Sequence, residues 1–183
     1  MTHLPMPLSA LLMLLFSYTA QGAGVTAVIE QVEDGDTVVA RVDGKSERLQ
    51  LLGIDAPEDT DNAKLKRDLQ VTGLQPEVLL QLGDQATQHL RTLLTPGQEV
   101  TLVGELKQRD RYGRIPVVLY AAGEQSFNEA MVGDGYAVVL GRYPLDARLK
   151  ARLEALEAEA IADRRGLWGR YRENAAAWSG KEL

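Results

Sequence analysis

Hydrophobic and polar positions divide the chain into strand-like and helix-like stretches. Val25–Val32 and Thr37–Val42 are dense in β-branched residues, and the apolar positions of 48–52 make a third such run. Asp34-Gly35 and Asp43-Gly44 stand between these runs, and Asp-Gly is a strong signal for a tight hairpin. Together they predict an antiparallel meander. Residues 59–75 are polar and aperiodic, which fits a long loop or a partly helical insertion. Leu82, Ala86, Leu90 and Leu93 then recur at helical spacing, with Asp84 as the expected N-cap and Thr95-Pro96-Gly97 as the stop. Residues 100–106 and 115–120 predict two further strands. Ser126-Phe127-Asn128-Glu129 is a capping box opening a short helix that Gly133 and Gly135 end. Residues 136–140 are extended. Residues 146–164 predict a last helix, with Leu149, Leu153, Leu156 and Ala160 as its buried stripe and Trp168 folding back as an anchor. Residues 170–183 form a tail without a readable pattern. The order predicts an α+β, mainly β fold: a five-stranded OB-type Greek-key barrel with about three packed helices.

Composition narrows the classes. With 183 residues, 45% hydrophobic and 25% charged, the chain suits one globular domain. It has no cysteine, so disulfides, thiolate metal sites and thiol nucleophiles are excluded. Residues 8–16 are apolar and residues 17–23 small or polar, with Ala20-Gln21-Gly22 as a small-x-small cleavage signal. Residues 1–22 therefore read as a signal peptide, too short in its apolar run to span a bilayer, ahead of a domain over 23–169. The expectation is a secreted or periplasmic monomer with no stable membrane association once the signal is removed. The net charge of -6 argues against a broad basic face for duplex DNA. Attraction to phosphate would be local, from Lys107, Arg109, Arg111 and Arg114.

Three turn blocks carry the candidate chemistry. Each, read alone, is also ordinary turn or strand-end chemistry. In Asp34-Gly35-Asp36-Thr37, Asp36 begins a strand, where aspartate is depleted, and an acid there calls for a partner such as a cation. In Gly53-Ile54-Asp55-Ala56-Pro57-Glu58, Asp55 leaves a near-continuous apolar run and the rigid proline fixes where Glu58 stands. Asp55 then suits a metal ligand and Glu58 a general base for water. In Asp110-Arg111-Tyr112-Gly113-Arg114, the Arg114 guanidinium can fork onto a phosphate, while Arg111 and Tyr112 can steer or stack a nucleotide.

In this order and wording the blocks resemble the staphylococcal-nuclease (thermonuclease) family over roughly 28–168, with Gly135-Tyr136-Ala137 and Gly166-Leu167-Trp168 also following its pattern. The resemblance implies a calcium-dependent phosphodiesterase acting on DNA or RNA and typically leaving 3′-phosphates. It implies that Asp36, Asp55 and the backbone carbonyl of Ala56 hold Ca²⁺, that Glu58 activates water, and that Arg114 is one of two phosphate-clamping arginines. Tyr112 and Tyr143 would line the nucleotide pocket. Calcium suits an all-oxygen donor set, whereas zinc is disfavoured because the histidines are only His3 and His89.

The chain departs from that pattern at Gln50, where the second arginine is expected. Losing one charged transition-state donor typically costs about 10²–10³ in rate. Arg48 shares its strand face with Gln50 at an offset of roughly 6.6 Å and is the candidate substitute. Gly141 stands where a tyrosine is common, and 59–81 is a longer connection than the family's. Two other readings compete: a non-catalytic nucleic-acid-binding module on the same barrel, and a small-molecule- or peptide-binding OB barrel that keeps the acids for calcium alone.

Overall fold

The computed structural model describes residues 24–121, 125–141 and 144–183. The signal-peptide reading of 1–22 and Tyr143 lie outside the described residues.

Five strands close a barrel. They are β1 (Val25–Val32), β2 (Thr37–Val42), β3 (Lys45–Leu51), β5 (Glu99–Val103) and β6 (Ile115–Tyr120). Around the barrel the order is β1-β2-β3-β6-β5, with β5 pairing back to β1. Only the β3–β6 contact is parallel, in the register Leu49↔Ile115 and Leu51↔Val117. Period-two alternation sets the faces. Leu49 and Leu51 are buried inside, which leaves Arg48 and Gln50 on the outward face of β3. The Asp43-Gly44 hairpin forms as expected, with both residues at positive φ (48° and 80°).

The Asp34-Gly35 turn takes a different form. Gly35 has no positive φ; instead the N–H groups of Glu33 and Asp34 both donate to the Thr37 carbonyl. A Cβ on Gly35 would stand 2.8 Å from the Cβ atoms of both Ala56 and Ala86. The glycine serves close approach rather than handedness.

The helices are more numerous than expected. Residues 59–75 contain α1 (Ala63–Thr72), capped by the Asn62 side chain, which accepts from the N–H groups of Lys64 and Leu65, and ended by Gly73 at φ 69°. The next helix, α2 (Pro76–Leu93), starts eight residues before Asp84. Pro76 at its first turn needs no N–H partner, and Leu79 extends the buried stripe backwards. Asp84 is therefore a mid-helix residue accepting from Gln88, not a cap. The capping box of Ser126 and Glu129 opens α3 (Phe127–Gly133) with both reciprocal bonds. Then come α4 (Ala147–Ala162), α5 (Leu167–Arg170) and α6 (Arg172–Ser179), the last built from the tail that shows no pattern in sequence. It packs on α1, α2 and α5, and Trp168 is buried beside it.

Two short strands link barrel to helices: β4 (Ile54–Asp55) pairs with β7 (Val138–Val139), Asp55 opposite Val138. Among the described residues no helix is long and apolar enough to cross a membrane.

Candidate active site

The turn after β1, the exit of β4 and the turn before β6 converge at one rim of the barrel. Local hydrogen bonds fold the first and last of these turns, and α2 holds the middle one. The Asp34 carboxylate accepts the Asp36 N–H at 3.0 Å, which folds the first turn. The Asp110 carboxylate accepts the N–H groups of Tyr112 (2.8 Å) and Arg114 (2.9 Å), with Gly113 at φ 79°. The Glu58 loop is set against α2 at Gly83, where an added Cβ would lie 2.2 Å from the carbonyl carbon and oxygen of Glu58. Thr87 donates to Asp59 at 2.7 Å and pins the same loop.

Asp36 is 5% exposed. One of its oxygens accepts the Thr37 hydroxyl at 2.9 Å and the other accepts the Ala56 N–H at 3.2 Å. The aspartate of the first block is thereby bonded to the loop of the second. Arg114 Nη1 lies 3.5 Å from Asp36 and donates to the Thr37 hydroxyl at 2.8 Å, while its Nε donates to Asp110 at 2.8 Å. The guanidinium is thus held between two carboxylates, with its central carbon 5.3 Å from the centre of the Tyr112 ring. All three blocks meet in this chain of contacts.

A cavity of about 500 Å³ opens beside them, lined by Glu58, Arg114, Arg48, Tyr112, Asp34 and Lys64 among others. Glu58 and Arg114 therefore share one surface. Arg48 faces the same space, but Glu33 grips it: Arg48 Nε donates to Glu33 at 2.7 Å, and Nη2 pairs with the second oxygen. Gln50 is paired across the sheet with Thr37 and Pro116 and does not line the cavity. Arg111 packs on the Tyr112 ring at 4.8 Å, also outside the cavity lining. Arg109 is engaged by Glu47 at 2.9 Å, so it is not a free phosphate contact. His89 stacks on Tyr136 at 4.0 Å and bonds Asp134, as a boundary residue. Asp55 opens instead onto a neighbouring cavity of about 690 Å³, with Asp68, Gly141 and Trp178.

The acids are electrostatically strained. Burial first, then the charge of Asp55, pushes Asp36 up to about 6, although Arg114, Lys64 and Thr37 pull it back. Burial and the Asp36 charge push Asp34 up to about 8. Burial also raises Asp55, against the pull of Lys64. Buried carboxylates that raise one another in this way are relieved by a cation.

A lysine supplies part of that relief. Lys64 Nζ stands 3.1 Å from the Ala56 carbonyl, 3.3 Å from Asp55, 3.0 Å from Glu58 and 3.3 Å from Asp68. Among the described residues no three acidic or histidine side chains close into a finished metal cage. The donor set nonetheless fits a hard cation, because its donors are all oxygens and an ammonium already sits among Asp55, Glu58 and the Ala56 carbonyl, with the Trp178 ring 5.9 Å away. Sequence reasoning missed both Lys64 and Asn62, whose amide also bonds Glu58. The available signal was Asn62 followed by Leu65 and Leu69 at helical spacing, with Lys64 four residues before Asp68.

A small barrel that gathers carboxylates and a clamped guanidinium at one rim has an arrangement suited to phosphodiester hydrolysis. Comparison with known proteins agrees. The family model described as staphylococcal nuclease homologue matches residues 48–170, a span beginning after the Asp34–Thr37 turn. An uncharacterized endonuclease of Escherichia coli is 32% identical over 158 residues, covering 86% of each chain. The thermonuclease of Staphylococcus hyicus is 28% identical over 143 residues, 78% of this chain and 75% of that one. Endonuclease YhcR of Bacillus subtilis (strain 168) is 28% identical over 144 residues, and this chain spans only 11% of its length. The chain belongs to the staphylococcal nuclease family.

Proposed function

We propose that the protein is a calcium-dependent nuclease that hydrolyses single-stranded or frayed DNA or RNA at the rim cavity, working as a monomer. The observation that carries this reading is the shared cavity of Glu58 and Arg114, directly beside the Asp36–Ala56 contact. Asp36, Asp55 and the Ala56 carbonyl are the groups to hold the cation. When bound, Ca²⁺ would supply positive charge against the non-bridging oxygens of a phosphate.

The chain's own groups supply the rest. Glu58 is positioned from two sides, by the Asn62 amide and by Lys64, and accepts the proton of the attacking water. The water oxygen bonds to phosphorus on the side opposite the departing oxygen. The phosphorus–oxygen bond to the leaving group then breaks, and the leaving oxygen takes up a proton. Arg114, oriented by Asp110 and Thr37, holds the charge that accumulates on the phosphoryl oxygens. Arg48 supplies a second positive charge from the Gln50 face, in part, because Glu33 already shares it. The Tyr112 ring, 46% exposed, is available to a base, and Tyr143 is assigned the same role by family likeness. Export guided by residues 1–22 belongs to this proposal and is checked by finding processed protein in the medium or periplasm.

Gln50 favours one alternative, a module that binds nucleic acid without cutting it. Incubating denatured DNA and RNA with the full chain, in Ca²⁺ and in excess chelator, separates the two. Cleavage that appears with Ca²⁺ and stops with chelator is the expected result. Oligonucleotide binding with intact product in both conditions means the alternative is correct.

A further inference from the structure

We propose that Lys64 is a tethered counter-ion that occupies the cation position, so that a divalent ion has to displace its ammonium, and that Lys64 thereby sets the protein's affinity for the ion. The inference rests on the assignment of Asp55 and the Ala56 carbonyl as cation ligands made above.

The geometry carries it. The ammonium contacts the Ala56 carbonyl and the Asp55 carboxylate, which are two of the assigned ligands, and Glu58, the assigned proton acceptor. Two cations cannot share those oxygens at hydrogen-bonding distance, because their repulsion is strong there and solvent is sparse. The Lys64 side chain is only 17% exposed, and a buried ammonium persists only when carboxylates surround it.

Its position along the helix argues the same way. Lys64 lies in the first turn of α1, where the helix dipole disfavours a positive charge, and that turn holds no acidic residue of its own. The lysine is therefore held by acids from outside the first turn: Asp55 at the end of β4, Glu58 on the loop that follows it, and Asp68 one turn later in α1. Asn62 joins the same unit, capping α1 with its oxygen and donating to Glu58 with its amide. Filling the cation position consequently acts on the start of α1. The insertion is a built-in competitor for the ion, and in the ion-free protein its ammonium offsets part of the charge of the crowded carboxylates.

The test is calorimetric titration of Ca²⁺ into the full chain, comparing wild type, Lys64→Met and Lys64→Arg. Methionine keeps the length of the stem and removes the charge. The expected result is at least a tenfold tighter Ca²⁺ affinity for Lys64→Met, with Lys64→Arg close to wild type. Without calcium, Lys64→Met melts below wild type and recovers when Ca²⁺ is added. Hydrogen exchange on the wild-type chain is the second measurement, and it decides the matter if Lys64→Met does not fold. Amides at the start of α1 are expected to exchange faster when Ca²⁺ is present. Equal affinities in Lys64→Met and wild type, or unchanged α1 exchange in a wild-type chain that binds Ca²⁺, overturn the inference and leave the nuclease reading standing. A wild-type chain that neither binds Ca²⁺ nor cleaves with it overturns both.

Discussion

At the scale of single residues, the chemistry turns on how two arginines are held. Arg114 is clamped by Asp110 and Thr37 and needs little reorganisation to meet a phosphate. Arg48 has to share its charge with Glu33. Arg114→Ala is therefore expected to lower single-turnover cleavage by about 10²–10³, and Arg48→Ala by roughly tenfold, with both variants folded. Unchanged turnover in Arg48→Ala would mean that nothing replaces the charge missing at Gln50. The clamp itself reports on pH. Burial tends to raise Asp110, but the N–H groups of Arg114 and Tyr112 and the Arg114 guanidinium outweigh it and hold it below the ordinary 3.8. A depressed folded value means stability that is complete above the unfolded pKa and lost as pH falls through the folded one. Wild type should thus melt above Asp110→Asn at neutral pH. The gap should close as the pH drops from about 4 into the region below the normal aspartate value. Melting curves across that window check the sign: a gap that widens on acidification contradicts the clamp.

At the scale of elements, what could be read in the sequence depended on whether the signal was local. The β2 and β6 boundaries, the Asp43-Gly44 hairpin and the Ser126–Glu129 capping box are set by neighbouring residues, and each formed where its residues pointed. The meeting of the three site blocks was legible only through family likeness, since the Asp36–Ala56 bond spans 20 positions of sequence. Two helices were obscured for tertiary reasons. For α1, burial is nearly confined to Leu65, so periodicity is faint, and its cap rather than its stripe announces it. The helix α6 gains its stability from packing on α1 and α2, which no local pattern encodes. Gly83 shows the converse, a helix-breaking residue whose reason lies outside its helix. In a helix interior Ala would ordinarily be favoured over Gly by about 1 kcal/mol. Here its Cβ would overlap the Glu58 backbone at 2.2 Å. Gly83→Ala is expected to lower the melting temperature despite the better propensity. It should also reduce turnover by about 10², because a displacement of order 1 Å at a catalytic group has that cost. A stable, fully active Gly83→Ala would show that the loop carrying Glu58 is not positioned by α2.

At the scale of the whole molecule, the net charge of -6 and the crowded acids at the barrel rim decide how the protein meets ions and nucleic acid. A ligand that binds only the folded state adds stability as the logarithm of its concentration, about 2.7 kcal/mol at a hundred times its dissociation constant. For a chain of this size each kcal/mol moves the midpoint by roughly 2–4 °C. Calcium at saturating concentration is therefore expected to raise the melting temperature by about 5–10 °C, and chelator to reverse it. The same shift should shrink sharply in a chain with Asp36→Ala, which removes a proposed ligand buried at 5% exposure. Nucleic-acid binding answers to a different balance. Arg109 is occupied by Glu47, and Arg114 lies between two carboxylates, so few cations remain to displace counterions from a strand. With two or three phosphate contacts, the slope of log affinity against log salt for single strands is expected near -1.4 to -2.1, at about -0.7 per contact. A slope of -4 or steeper, measured on a short oligonucleotide in Ca²⁺, would require a basic track extending well beyond the rim cavity. The acidic balance of the chain and the pairing of its arginines argue for the shallow value.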